Sequence, residues 1–348
     1  MHSNNFRKAA ILVLSLTTML IGGYELYLRH LGYTISFDDS ESIFADKKRK
    51  IYLPKDDATV FIGSSRIKFD VNTELWRGLT GETPVQLANV GSSPIPVLKA
   101  LAADSLFKGK LIIDVAEPLF FDLSGRSFER PQKCLDFSKN ETPAQRFSFH
   151  INTLLESNFV FLDKDNFALS ALLEYLPIPP RPGKLDFPKY PTEFGLMNFD
   201  RNSSMSNRFV DHDQKGVKMM QDIWMQLAAM GAKAPPTPEP VIDSFIRDVK
   251  LKTDQIIARG GQVAFLRPPS SGPLWKGEQM GFPRDKYWDK ILTVTGCKGM
   301  HFADYPELNK MNCTEFSHLR QSDANVFTKK LVEVLSKEMG WKFKANNQ

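Results

Sequence analysis

The sequence predicts an α/β protein, a three-layer α/β/α sandwich around a mostly parallel sheet, tethered by one N-terminal transmembrane helix. Three observations carry this. Short runs of β-branched and aromatic residues alternate with helical patterns. At least one of these runs, Lys110–Val115, is apolar without alternation, as expected of a strand buried on both faces. Ala9–Tyr24 contains no formally charged residue.

The apolar segment extends past Glu25 to Leu28 when read as Ala9–Leu28, about 30 Å of helix and enough to cross a hydrocarbon core. Arg7 and Lys8 precede it, which favours a cytoplasmic N-terminus and an exported body. A cleaved signal peptide is the rival reading. No clear A-x-A site follows the apolar core, which favours an uncleaved anchor. The resulting partition is 1–30 for cytoplasmic tip and anchor, 31–56 for a polar stalk, 57–340 for the α/β domain and 341–348 for a tail.

The α/β domain opens with a strand over Ala58–Ile62, broken by Gly63-Ser64-Ser65, and a helix is expected before Trp76. A second strand is read at Val85–Asn89, a helix at Val97–Phe107 and a third strand at Lys110–Val115. From about 123 to 240 the alternation fails, and this stretch reads as an insertion or cap. It contains helical patches at Ala144–Leu155, Asp165–Tyr175 and Val217–Met230. Two proline clusters, at Pro177, Pro179, Pro180 and Pro182 and at Pro235, Pro236, Pro238 and Pro240, favour extended backbone. The alternation resumes with a helix over Ile242–Arg259, a strand over Gln262–Leu266, a fifth strand near Met300–Ala303 and a last helix over Asp323–Met339.

Composition narrows the function classes. Hydrophobic residues are 42% and charged residues 24%, which excludes a disordered chain and a multi-span membrane protein. A net charge of +5 over 348 residues does not indicate nucleic acid, which needs a clustered basic face. His2, His30, His150 and His212 have no ligand spacing, so no metal is expected, and no phosphate loop or dinucleotide fingerprint is present. If the body is exported, Cys297 and Cys313 are a candidate disulfide with Cys134 left over; three buried free thiols are the other reading.

In a parallel α/β sheet, ligands bind beyond the carboxyl ends of the strands. Three features fall there: Gly63-Ser64-Ser65-Arg66 after the first strand, Asn89-Val90-Gly91 after the second, and Glu315-Phe316-Ser317-His318 before the last helix. A serine at a strand-to-helix turn, a glycine whose N–H can face an oxyanion, and a histidine oriented by a carboxylate suit nucleophilic acyl transfer. Each feature alone is a common turn or surface pair.

In this order they resemble the SGNH/GDSL hydrolase superfamily. The closing Ser317-His318-Leu319 with Ala324, Phe327 and Thr328 is similar to membrane-anchored SGNH-like proteins of bacterial envelopes, some of which work in polysaccharide O-acetylation or cell-wall acylation. The resemblance covers about 58–118 and 240–338. It implies a flavodoxin-like five-stranded sheet, Ser65 as nucleophile, His318 as base, Glu315 in the place of the family's aspartate, and Ser65 and Gly91 N–H groups as oxyanion hole, with Asn89 as a spare donor. It further implies an acylated glycan or small ester as substrate, or a membrane acyltransferase as partner. Ser64 stands where the family has the aspartate of its Gly-Asp-Ser turn, and Asp114–Pro118 lacks the family's third-block asparagine. A silent SGNH-like module that binds envelope polysaccharide is therefore the alternative. Arg66 and Arg267 are candidates for an anionic substrate or for ion pairs, and Asp304, near His301, is an alternative orienting acid.

Overall fold

A computed structural model describes residues 2–173, 176, 190–233 and 235–347. The chain forms two compact units, Met1–Asp38 with Pro143–Thr192, and Asp39–Thr142 with Glu193–Gln348.

The second unit is built on five parallel strands, β1 (Ala58–Ile62), β2 (Thr83–Gln86), β3 (Lys110–Asp114), β6 (Gln262–Arg267) and β7 (Lys298–His301), in the order β2-β1-β3-β6-β7. A separate two-residue antiparallel pair, β4 (Leu196–Met197) and β5 (Ser203–Ser204), lies in the insertion. The main sheet is thus wholly parallel. Its alternate residues enter two different cores. Val60, Ile62, Leu111 and Ile113 pack with Leu98, Ile246 and Trp288 of the helices Ile95–Ala103, Glu239–Ala258 and Trp288–Thr295. Phe61, Ile112 and Leu266 face Trp76, Phe327 and Leu331 of the helices Thr73–Thr80 and Gln321–Lys337. Helices therefore cover both faces, which is why every residue of β1 and β3 is buried and why these strands read as unbroken apolar runs.

Local chemistry sets the element ends. Asn72 caps the helix Thr73–Thr80 by accepting from the N–H groups of Glu74 and Leu75, and Gly81 closes it in the left-handed region at φ 71°. The helices expected at Ile242–Arg259 and Asp323–Met339 occupy Glu239–Ala258 and Gln321–Lys337. Pro240 lies within the first turn of Glu239–Ala258, where its missing N–H costs nothing. The first proline cluster, Pro177 to Pro182, lies outside the described residues, as does the end of the Asp165–Tyr175 patch.

Three expectations are corrected. Residues 39–56 are not a free stalk: Glu41–Lys48 is a helix whose Ile43, Phe44 and Ala45 are buried, with Phe44 in the sheet's core. The 123–240 insertion is not one body, because Pro143–Thr192 belongs to the first unit and the rest to the second. Cys297 and Cys313 form no bridge. All three cysteines are free and buried, and Cys297 and Cys313 belong to the cores on opposite faces of the sheet. None of the three is expected to react with a maleimide in the native protein, and all three are expected to react in urea without reductant. Mass spectrometry of the labelled chain reads this, and a reductant requirement in urea would contradict it.

In the first unit, the helix His2–His30 contains a stretch, Asn5–His30, long and apolar enough to span a membrane. Glu25 does not break it. Its carboxylate is buried and accepts from Arg29 Nε (2.6 Å) and from the N–H groups of Val160 (3.0 Å) and Phe161 (3.2 Å). The remainder of the unit includes the helices Pro143–Glu156, Lys164–Phe167 and Leu169–Leu173.

Candidate active site

The sheet delivers Ser65 to the carboxyl end of β1. Gly63 ends the strand where an added Cβ would lie 2.3 Å from Asp114 Cβ, so only glycine lets β1 and β3 close at this point. Ser64 then anchors the turn. Its N–H and hydroxyl both donate to Asp114 Oδ2 (2.8 and 2.6 Å), and its hydroxyl accepts from the N–H of Arg66 as N-cap. Burial pushes the Asp114 carboxyl up, against these hydrogen bonds. Serine thus stands where the resemblance led one to look for aspartate, and its partner is an aspartate on the neighbouring strand. Ser65 is the first residue of the helix Ser65–Asp70, where backbone N–H groups have no partner within the helix.

His318 arrives on the loop before the helix Gln321–Lys337. Its Nε2 lies 2.8 Å from Ser65 Oγ, and its Nδ1 lies 2.7 Å from Glu315 Oε1. A carboxylate only accepts, so Nδ1 carries the proton and donates to Glu315, leaving the Nε2 lone pair for the Ser65 hydroxyl. Relative exposures are 8% for Ser65, 1% for His318 and 0% for Glu315, so all three side chains are buried and Ser65 is the most accessible of them.

The loop is held tightly. Leu319 N–H donates to Asp70 Oδ1 (2.9 Å), which joins it to the helix that follows the serine. Phe316, between Glu315 and His318 in the chain, has φ 78°, a strained value for a bulky residue. Its carbonyl accepts from Ser271 N–H (2.9 Å), and an added Cβ on Gly272 would meet its ring at 3.0 Å. Glu315 Oε2 accepts from Ser317 N–H (3.2 Å) and from the indole N–H of Trp224. Trp224 comes from the helix Gln214–Gly231 in the inserted segment. The ring of His318 packs among Phe69 (4.4 Å), Phe194 (5.8 Å) and Trp224 (5.8 Å). Residues 193–231 therefore cover the histidine.

Gly91 lies beyond β2 at φ 61° and is exposed, with open space where a side chain would stand. Asn89 is buried and held by its neighbours. Its Nδ2 donates to the Leu87 carbonyl, and its Oδ1 accepts from Arg201 and from the Cys134 thiol. Arg66 and Arg267 do not offer guanidinium groups to a substrate, because both are buried in one ion cluster. Arg66 pairs with Glu278; Arg267 pairs with Glu278 (2.6 Å) and Glu117 (2.9 Å). Burial alone would raise Glu278, but Arg66 and Arg267 outweigh it and hold the carboxyl well below its ordinary value. Glu117 thereby points to Arg267 rather than standing as a free carboxylate in the third block. Asp304 pairs with Arg284 (2.5 Å), and the carboxylate that meets His318 Nδ1 is Glu315. Burial first, then Arg267 and Arg284, push His301 down to about 3, which keeps it neutral. Among the described residues there is no cluster of three or more metal-ligating side chains.

Trp224 and Glu278 were not visible as site residues in the sequence. Neither lies in a motif, and each reaches the site only through tertiary packing. No family model and no curated protein sequence matches the chain. What the site does is therefore argued from its own residues.

Proposed function

We propose that this chain is a membrane-anchored serine esterase or O-acyltransferase of the SGNH type, acting on an acylated envelope glycan or another ester. The observation that carries the reading is the buried Ser65–His318–Glu315 relay at the carboxyl edge of a wholly parallel sheet.

His318 Nε2 takes the Ser65 proton as Oγ attacks the ester carbonyl, and Glu315 stabilises the imidazolium through Nδ1–H. The N–H groups of Ser65 and Gly91 hold the oxyanion. Collapse expels the alcohol, which takes the proton from His318, and leaves an acyl ester on Ser65. Water as second acceptor releases a carboxylic acid; a sugar hydroxyl gives a new ester. In either case His318 takes the acceptor's proton and returns it to Ser65. The helix His2–His30 anchors the chain, with Arg7 and Lys8 on the cytoplasmic side and the α/β unit outside.

A non-catalytic SGNH-like binding module is the second reading. It is favoured by one feature: no asparagine fills the third block, Asp114–Pro118. A fluorophosphonate probe separates the two. The expected result is one covalent adduct, mapped to Ser65, absent from Ser65→Ala and strongly slowed in His318→Ala. No adduct, together with no turnover of short acyl esters or acylated glycans, would overturn the enzyme and leave the module.

A further inference from the structure

Unit Met1–Asp38 with Pro143–Thr192 leaves a large part of its apolar surface uncovered. On the helix Pro143–Glu156, Phe147 (69% exposed), Ile151, Leu154 (63%) and Leu155 are spaced i, i+4, i+7, i+8 and form one face. Asn152, about 100° round the helix from Ile151, lies off this face. On the helix Leu169–Leu173, Leu169 (71%), Leu172 and Leu173 stand at i, i+3, i+4 and are again exposed. Two stripes of this kind within thirty residues exceed the scattered apolar exposure of an ordinary surface.

Their position shows what covers them. The turn Val160–Leu162, between the two helices, is fixed to the last turns of the apolar helix. Glu25 accepts from Val160 and Phe161, Arg29 donates to the Asn158 carbonyl (3.0 Å), and the ring of Tyr24 lies tilted against that of Phe161 (6.4 Å). Tyr33, just past that helix, meets Phe167 edge-on at 5.2 Å. If Ala9–Leu28 fills the hydrocarbon, Tyr24–Arg29 lie at its boundary, and so do Asn158–Phe161. Glu156 is four residues from Val160, and four residues of chain span at most about 14 Å. Both stripes therefore start at the level where the membrane helix leaves the lipid. Tyrosines and phenylalanines gather there, as they do in interfacial belts.

We infer that the helices Pro143–Glu156 and Leu169–Leu173 lie in the lipid–water interface of the membrane that His2–His30 crosses, with Phe147, Ile151, Leu154, Leu155, Leu169, Leu172 and Leu173 in the acyl boundary. The occupant of this face is lipid. The inference rests on the anchor in the proposed function and not on the catalytic reading.

The test uses the full chain in phosphatidylethanolamine–phosphatidylglycerol vesicles, with a spin label on a single introduced cysteine. The buried native thiols leave the parent chain as the blank. Phe147→Cys, Leu154→Cys and Leu172→Cys are expected to collide severalfold more with oxygen, which partitions into lipid, than with a water-soluble nickel chelate. Asn152→Cys and Leu106→Cys, the latter exposed in the α/β unit, are expected to show the reverse. Leu14→Cys reports on the anchor. If Leu14 reads lipid while the three test positions read water, the interfacial inference fails and the anchor stands. If Leu14 reads water, the anchor fails and the inference with it. Shielding of the three from both reagents would show a protein occupant and overturn the inference.

Discussion

Replacing Ser65 by alanine is expected to lower kcat on a short acyl ester about a millionfold, and His318→Ala by a similar factor, with the double variant no worse than either. The two groups act as one unit, so removing either stops the same step. Glu315→Gln is expected to cost about ten-thousandfold. The reason lies in the 2.7 Å contact to His318 Nδ1. A glutamine amide can donate to Nδ1, which moves the ring proton to Nε2. Nε2 would then donate toward Ser65 Oγ and could not take its proton. Trp224→Phe is a milder case, because Glu315 keeps its contacts to His318 and to Ser317 N–H. A hydrogen bond to a charged group is worth about 1.5–3 kcal/mol, which corresponds to roughly 10- to 150-fold in kcat. KM should move little in all four variants. Steady-state kinetics, with folding checked by circular dichroism, measures the series. Equal activity in Ser65→Ala and the parent would remove the catalytic reading.

The ranking of these effects also shows what the sequence made legible. Ser65, Gly91 and His318 were legible as candidates because each sits in a turn beside a strand or helix, where local composition marks the turn, and Ser65 and His318 meet in the structure. β1, β3 and β6 were legible because strands buried on both faces are continuous apolar runs. β2 was placed late, at Val85–Asn89, while the strand is Thr83–Gln86. It is an edge strand, where Thr83-Pro84 is tolerated because one side of the backbone has no neighbour to pair with. The helix Glu41–Lys48 was hidden for a different reason. Eight residues with three buried apolar or small side chains give too short a pattern to separate from a polar linker. Trp224 reaches Glu315 across 91 positions and Glu278 reaches Arg66 across 212, and no local spacing encodes such pairs. The same limit explains why Arg66 and Arg267 read as possible substrate ligands. Their position at the sheet's rim was visible, and the carboxylates that neutralise them were not.

Glu278→Gln tests that neutralisation and is expected to destabilise the protein by about 3–5 kcal/mol, the usual cost of leaving a buried charge without its partner. In the parent, the guanidiniums of Arg66 and Arg267 and the carboxylates of Glu117 and Glu278 balance, and Ser270 adds a hydroxyl donor to Glu278 at 2.6 Å. Glutamine retains the shape but leaves two buried cations facing one anion. The effect carries a pH signature. The two guanidiniums, acting against burial, hold Glu278 at about 2 in the folded protein, below its ordinary 4.5. Its contribution is therefore fully present above about pH 4.5 and is lost as pH falls toward 2. Urea midpoints of the parent and Glu278→Gln should lie furthest apart at neutral pH and converge on acidification. Asp70 and Asp114, which burial pushes up, are common to both proteins and cancel in the difference. A glutamine variant within about 1 kcal/mol of the parent at pH 7, or a gap independent of pH, would mean that water reaches the guanidiniums. Arg66, next to the serine in sequence, would then return as a group able to meet an anionic substrate.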